Sequence, residues 1–182
     1  MTRAPFVMPK ASNAFDRKPE IFDTTMGWRF VNNNLSTLYY PYTMGETAEN
    51  VAKQWNISRH AQDEFALESQ QKYATAFKEK RWTDEIVPLQ ITAGKDLVDF
   101  EKDEHPRESS LEKLGQLKPA FLKNGTVTAG NSSGINDGAA ALLLASKDAV
   151  IKYGLSPMAK IKSMAVAGVE PSVMGIGPVP AT

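Results

Sequence analysis

The chain of 182 residues contains no cysteine. That excludes disulfides, zinc–thiolate centres and any thiolate nucleophile carried by these residues. It suits a reducing compartment, for which the cytoplasm is the default. Long apolar runs are missing as well. The longest, Ala139–Ala145, is far short of the ~20 residues that span a bilayer, and Met1–Pro9 holds no apolar core of signal-peptide length. Net charge is absent: Lys plus Arg is 21 and Asp plus Glu is 21. Neither nucleic acid nor a membrane is therefore expected as a partner, although a local basic patch can still hold a small anion. Histidine is scarce. His60 and His105 have no Ser or Asp at a diagnostic spacing and read as surface residues.

What is present fits a globular protein, with 42% hydrophobic and 23% charged residues. Residues 1 to about 45 are broken by prolines, and Asn32-Asn33-Asn34 is a turn signal. The same stretch is dense in rings: Phe6, Phe15, Phe22, Trp28, Phe30, Tyr39, Tyr40 and Tyr42. Disordered segments are poor in such residues, so this one reads as an ordered excursion packed against another surface, a partner subunit being one candidate. Thr47 to about Trp55 is expected to be a short helix. Ser58 caps a longer one to about Glu79, with Ala61, Phe65, Ser69, Tyr73, Ala76 and Phe77 on the face turned to the core. Glu85–Ile91 and Leu97–Glu101 are expected to be a hairpin joined at Thr92–Asp96, with Pro88 confining the first strand to an edge. Ser109 and Glu112 form a capping-box pattern for a helix ending before Pro119.

From Thr126 onwards small residues crowd the chain. Ala139–Ala145 then has the continuous apolar character of a strand buried on both faces. Ser146 caps a helix that ends at Gly154, and Lys160–Val169 is a second strand candidate. Strand, helix, strand makes a right-handed βαβ unit, so the expected class is α/β, with a boundary near residue 124. Glu170–Thr182 reads as turns. Gly175-Ile176-Gly177-Pro178 lacks the spacing of a phosphate loop and reads as a plain turn. Asp99, Glu101, Asp103 and Glu104, interleaved with Lys102 and Arg107, read as a solvated strand end. Asn131-Ser132-Ser133-Gly134, followed by Asn136-Asp137-Gly138, is the segment most open to chemistry. Small side chains let a ligand approach the backbone, and N–H groups near a helix start suit an oxygen-rich one. An ordinary loop has the same composition.

The run Gly125–Ser146 resembles the thiolase family, acyl-CoA acetyltransferases that make or split 3-oxoacyl-CoA. So do Met44–Ala52, Gln62–Ala66 with Ser69-Gln70, Asp84–Pro88, Leu117–Phe121 and Val173–Ala181, in order along the chain. Thr2–Phe6 and Thr24–Phe30 look most like the branch acting on 3-oxoadipyl-CoA or medium 3-oxoacyl-CoA. The resemblance implies a thiolase loop domain of helices and a small hairpin over residues 1–124, covering coenzyme A and carrying oligomer contacts. It also implies that residues 125–182 are a partial N-terminal half, strand–helix–strand, leading toward a C-terminal half.

The same resemblance assigns residues. Met44 would line the acyl pocket, and Arg107 would approach the adenine or ribose-phosphate end of CoA. Leu117 and Phe121 would flank adenine and pantetheine. Ala129 and Ser133 would hold the pantetheine amides. No bound cofactor or metal is implied, the CoA thioester being substrate. The implied partners are further copies of the chain or complementary thiolase segments. Two departures stand out. Thr43 stands where many acetoacetyl-CoA thiolases have His. The two catalytic cysteines and the G-H-P histidine of the family are not in this chain, so the expectation is a thiolase fragment, inactive alone, from a truncated reading frame or otherwise. A free-standing binding and assembly module, or an inert product of a damaged gene, are the alternatives. Strands at 139–145 and 160–169 without partners would leave apolar side chains uncovered.

Overall fold

The computed structural model describes residues 3–11 and 13–182; Thr2 of the opening run lies outside them. The order of elements is β1 (Phe6–Val7), β2 (Phe22–Asp23), α1 (Asn33–Leu38), α2 (Met44–Gln54), α3 (Arg59–Lys78), β3 (Leu89–Ala93), β4 (Asp96–Phe100), α4 (Leu111–Gly115), α5 (Lys147–Tyr153), a 3-10 turn (Pro171–Ile176) and α6 (Pro178–Ala181). The class is α/β, with helices and small antiparallel sheets. Two compact units form: Tyr40–Ile135, and Met1–Tyr39 together with Asn136–Thr182. Residue 124, where the composition changes, lies inside the first.

In the Tyr40–Ile135 unit, α2 begins at Met44, ahead of the expected Thr47. The reason is a capping box. The Thr43 hydroxyl accepts from the Glu46 N–H, and the Glu46 carboxylate accepts from the Thr43 N–H at 2.8 Å. Ser58 caps α3 as expected, and its Oγ accepts from the Ala61 N–H. The face α3 buries is only partly the expected one, shared at Tyr73 and Ala76. Phe65 is 74% exposed, and the covered stripe runs through Asp63, Ala66, Leu67, Gln70 and Tyr73. α4 packs on α3, and polar partners at Arg59 and Asn131 draw Asp63 inward at the expense of Phe65. The C-terminal end of α3 carries an aromatic cluster. Tyr73 stacks on Phe77 at 6.0 Å and leans on Trp82 at 5.1 Å, with Lys102 Nζ 5.2 Å from the Phe77 ring.

The hairpin forms with both strands displaced. β3 starts after Pro88, which has no N–H for the ladder. Its register pairs Leu89 with Phe100, Ile91 with Val98 and Ala93 with Asp96. Gly94 (φ +67) takes the first central position of a two-residue turn, where positive φ is required in a type II′ turn. α4 is capped by Ser110, not Ser109: its Oγ accepts from the Lys113 N–H. Glu112 then falls one position short of closing a box.

In the other unit, β1 and β2 pair over two residues each, and Thr24 Oγ1 donates to the Pro5 carbonyl at 2.5 Å. Asn32 opens α1 by accepting from the Asn34 and Leu35 N–H groups, so the expected turn is a helix start. Phe22 meets Phe30 edge-on at 5.7 Å, while Phe6, Phe15 and Trp28 stay exposed. α5 is capped by Ser146 and ends at Gly154 (φ +61), as expected. The expected strands on either side of it join no ladder among the described residues. A strand needs a neighbour for its N–H and C=O groups, and among the described residues no segment pairs with them. Leu142 is 93% and Val166 97% exposed. Val173 is buried in the 3-10 turn, and α6 follows from Pro178 where a plain turn was expected. Among the described residues no helix is long and apolar enough to cross a membrane.

Exposed Leu142, Leu143 and Leu144 predict association that grows with concentration. Lysine at 142 and 144 should lower the light-scattering mass; an unchanged mass would contradict the reading. A second expectation concerns Tyr73, whose pKa is raised by burial and then by Asp103. The fold thus favours the neutral phenol. That preference is present below the unfolded tyrosine value near ~10 and is lost as pH climbs through the higher folded value. Near-ultraviolet titration should show one tyrosinate appearing late in the native chain and missing in Tyr73→Phe.

Candidate functional site

The Gly125–Ser133 loop is held by two carboxylates on two helices. Glu49, in the middle of α2, is 8% exposed. Its Oε1 accepts from the Thr126 and Val127 N–H groups, both at 2.8 Å. Its Oε2 accepts from the Thr126 N–H and from Thr126 Oγ1, both at 2.9 Å. Asp63, in the first half of α3, is 3% exposed. It accepts from Arg59 Nε at 2.8 Å and Asn131 Nδ2 at 2.9 Å. The Arg59 guanidinium continues to the carbonyls of Leu114 at 2.5 Å and Leu117 at 3.1 Å, and so ties α4 and the segment just after it to α3. Buried carboxylates persist only when their oxygens are satisfied, and both of these are.

The loop folds on itself from those anchors. Asn131 Oδ1 accepts from the Thr128 N–H at 2.7 Å, and Asn131 Nδ2 also donates to the Thr126 carbonyl at 3.0 Å. Ser132 Oγ donates to the Thr128 carbonyl at 2.6 Å. Thr128 is fully buried and pairs with Pro119 in an isolated antiparallel bridge; Ala120 N–H donates to the Val127 carbonyl at 2.9 Å. The turn before the loop has Asn124 at φ +63 with the Gly125 N–H on the Leu122 carbonyl at 3.0 Å, as a type II turn requires.

These bonds sort the candidate ligand segment. Asn131 and Ser132 are used internally, and no helix begins between 125 and 145, so no helix start supports an anion there. Ala129 and Ser133 remain exposed. Leu117 lies against the loop: a Cβ on Gly130 would press on the side chains of Leu117 and Leu114. Phe121 is half-buried, its ring over Gly45 so closely that a Cβ there would overlap it. Met44, the residue before, is exposed on the first turn of α2. Arg107 is exposed. Its N–H donates to Gln70 Oε1 at 3.1 Å, its Nε reaches only the His105 carbonyl at 3.4 Å, and no carboxylate lies within 4 Å of its guanidinium among the described residues.

The residues that organise the site were not among the expected ones. Glu49 carries a sequence signal, since with Gly45 and Ala52 it occupies the helical spacing of a buried face where an apolar residue is the norm. Asp63 offers only an i,i+4 pairing with Arg59. A groove of about 530 Å3 opens beside Glu49, bounded by Lys53, Ile57, Leu122 and Asn124, and contains none of the candidate ligand residues. Among the described residues no cluster of three or more His, Cys, Asp or Glu is gathered as for a metal.

A family model described as "Thiolase, N-terminal domain" matches residues 1–148. The "3-oxoadipyl-CoA/3-oxo-5,6-dehydrosuberyl-CoA thiolase" of Escherichia coli (strain K12) is 53% identical over 184 residues, covering 100% of this chain and 46% of that protein. The "Acetyl-CoA acetyltransferase" of Syntrophomonas wolfei is 44% identical, again over 100% of this chain and 46% of its own length. Human mitochondrial 3-ketoacyl-CoA thiolase superposes with a TM-score of 0.83 at 37% identity, over 99% of this chain and 44% of that one. The chain thus spans a little under half the length of these proteins.

Asp63→Ala leaves Arg59 Nε–H and one of the two N–H groups of Asn131 Nδ2 without an acceptor, the other staying on the Thr126 carbonyl. The expected loss is about 1–3 kcal/mol, the cost of buried donors left unpaired, read as a lower urea midpoint. Asp63→Asn should fall between. A wild-type midpoint in Asp63→Ala would mean the loop is held without it.

Proposed function

Because the chain belongs to the thiolase family, we propose that it supplies the coenzyme A-binding part of a thiolase, an acyltransferase acting on 3-oxoacyl-CoA. The supporting observation is the division within the 126–133 loop. Thr128, Asn131 and Ser132 are consumed by the fold, while Ala129 and Ser133 are exposed and Leu117 lies against Gly130 of the same loop. Ser133 then offers a hydroxyl, and Ala129 its backbone groups, to the amides of pantetheine. The Arg107 guanidinium, with no carboxylate beside it, suits the phosphate end. Phe121 and Leu117 supply apolar walls, and Met44 stands toward the acyl end.

The higher identity to thiolases named for 3-oxoadipyl-CoA, with Thr43 in place of His, favours that branch over acetoacetyl-CoA. Two-step acyl transfer needs a thiolate and an oxyanion hole. With no cysteine in the chain, both would be completed by residues beyond this sequence, and the chain alone binds without turnover. Assembly with complementary thiolase segments or with further copies belongs to the same reading. The exposed Phe15 and Trp28 also favour a second one, an assembly module without ligand.

Calorimetry with CoA tests the proposal. Binding should weaken roughly tenfold (~1.4 kcal/mol) in Arg107→Ala. No heat at millimolar CoA, with a defined oligomer in light scattering, would favour the assembly module. Thiolysis of 3-oxoadipyl-CoA or acetoacetyl-CoA by the chain alone would overturn the claim that it does not turn over.

A further inference from the structure

We infer that Glu49 is a positioning residue for ligand binding: its buried carboxylate presets the loop that carries Ala129 and Ser133 before any ligand arrives. The inference rests on the reading of Ala129 and Ser133 as coenzyme A contacts. Glu49 touches neither.

The chemistry of its surroundings points to this role. No Lys or Arg lies within 4 Å of the carboxylate among the described residues. Every hydrogen bond it makes comes from the loop: the N–H groups of two consecutive residues, Thr126 and Val127, and the Thr126 hydroxyl. A helix that only needed its inner face covered would do better with methionine or leucine, because a buried carboxylate is costly to desolvate. What an apolar side chain cannot do is fix two adjacent peptide planes. With both N–H groups turned toward Glu49, the direction of the backbone through 126–128 is set. Asn131 and Ser132 then fold the next turn back onto Thr128, and that turn carries Ala129 and Ser133. On the other side, Val127 and Thr128 pair with Ala120 and Pro119, between Leu117 and Phe121. The helix bearing Glu49 begins at Met44. One side chain therefore registers three candidate contact groups against one another. Ligand binding to a preset loop avoids the ordering cost that a loose one incurs.

Gly125 supplies an independent handle. A Cβ there would overlap Glu49 Oε1. A free carboxylate could swing aside, but one held by the loop itself cannot move without breaking those bonds.

The experiment compares the native chain with Glu49→Ala, Glu49→Gln and Gly125→Ala. It measures CoA affinity by calorimetry, amide exchange residue by residue, and the urea midpoint. Glu49→Ala should weaken CoA binding roughly tenfold or more, and should accelerate exchange at Thr126, Val127 and Thr128 while the interior of α3 stays protected. Glu49→Gln should recover part of the affinity. Its amide oxygen still accepts from the Thr126 and Val127 N–H groups, while its NH2 stands where an oxygen accepted from Thr126 Oγ1, which already accepts from Gln62 Nε2. Gly125→Ala should reproduce the loss with Glu49 intact, which covers the case in which Glu49→Ala does not fold. Native affinity in Glu49→Ala or in Gly125→Ala, despite faster loop exchange, would overturn the inference. So would an affinity that merely tracks the urea midpoint across the three variants. Absence of CoA binding in the native chain would instead defeat the function reading, and this inference with it.

Discussion

A carboxylate inside a helix face must find donors, and in the Tyr40–Ile135 unit Glu49 finds them in the backbone of a loop far along the chain, at Thr126 and Val127. Much else in that unit follows from this contact. The loop has to approach α2 within hydrogen-bond reach, so the residue ahead of it is glycine, and the turn before that needs Asn124 at positive φ. Once 126–128 is anchored, Pro119 and Ala120 gain a bridge partner and Asn131 comes within reach of Asp63. Asp63 in turn holds Arg59, whose guanidinium reaches α4. Apolar burial is thin in this unit, with Ala52, Leu114 and Val127 as its buried hydrophobic residues. Directional polar contacts set the geometry that a larger core would otherwise impose.

The loop therefore shows two kinds of small polar residue that composition does not separate. Asn131 and Ser132 are spent on bonds within the fold. Ser133 looks outward. A change at the first pair alters the shape of the loop, whereas a change at the last alters what the loop presents. The same separation runs through the flanking segment, where Leu114 is buried against Gly130 and Leu117 is left partly open.

Local chemistry made the start of α3, the span of α5 and the hairpin legible in the sequence, because Ser58, Ser146, Gly154 and Gly94 act through their nearest neighbours. The family was legible too, from ordered runs such as Gly125–Ser146, and the match over residues 1–148 agrees with it. What could not be read was decided at long range. The first half of the inward face of α3 is set by Asp63, which partners at Arg59 and Asn131 bury, whereas an apolar count puts Phe65 there instead. The start of α2 is itself local, since Thr43 and Glu46 have the spacing of a capping box. The apolar run at 139–145 has the composition of a strand, but a ladder is a property of two segments, and the sequence of one does not guarantee the other. Glu49 has no such local mark, because a single glutamate in a helix is ordinarily a solvated one.

The close approach at Gly125 has a last consequence, for variation. Positions 49 and 125 constrain each other: a side chain at 125 overlaps the Glu49 carboxylate, and a shorter residue at 49 surrenders the acceptors that the loop requires. Although widely separated along the chain, the two behave as a single site under substitution. Among related chains they should covary, or else remain fixed together.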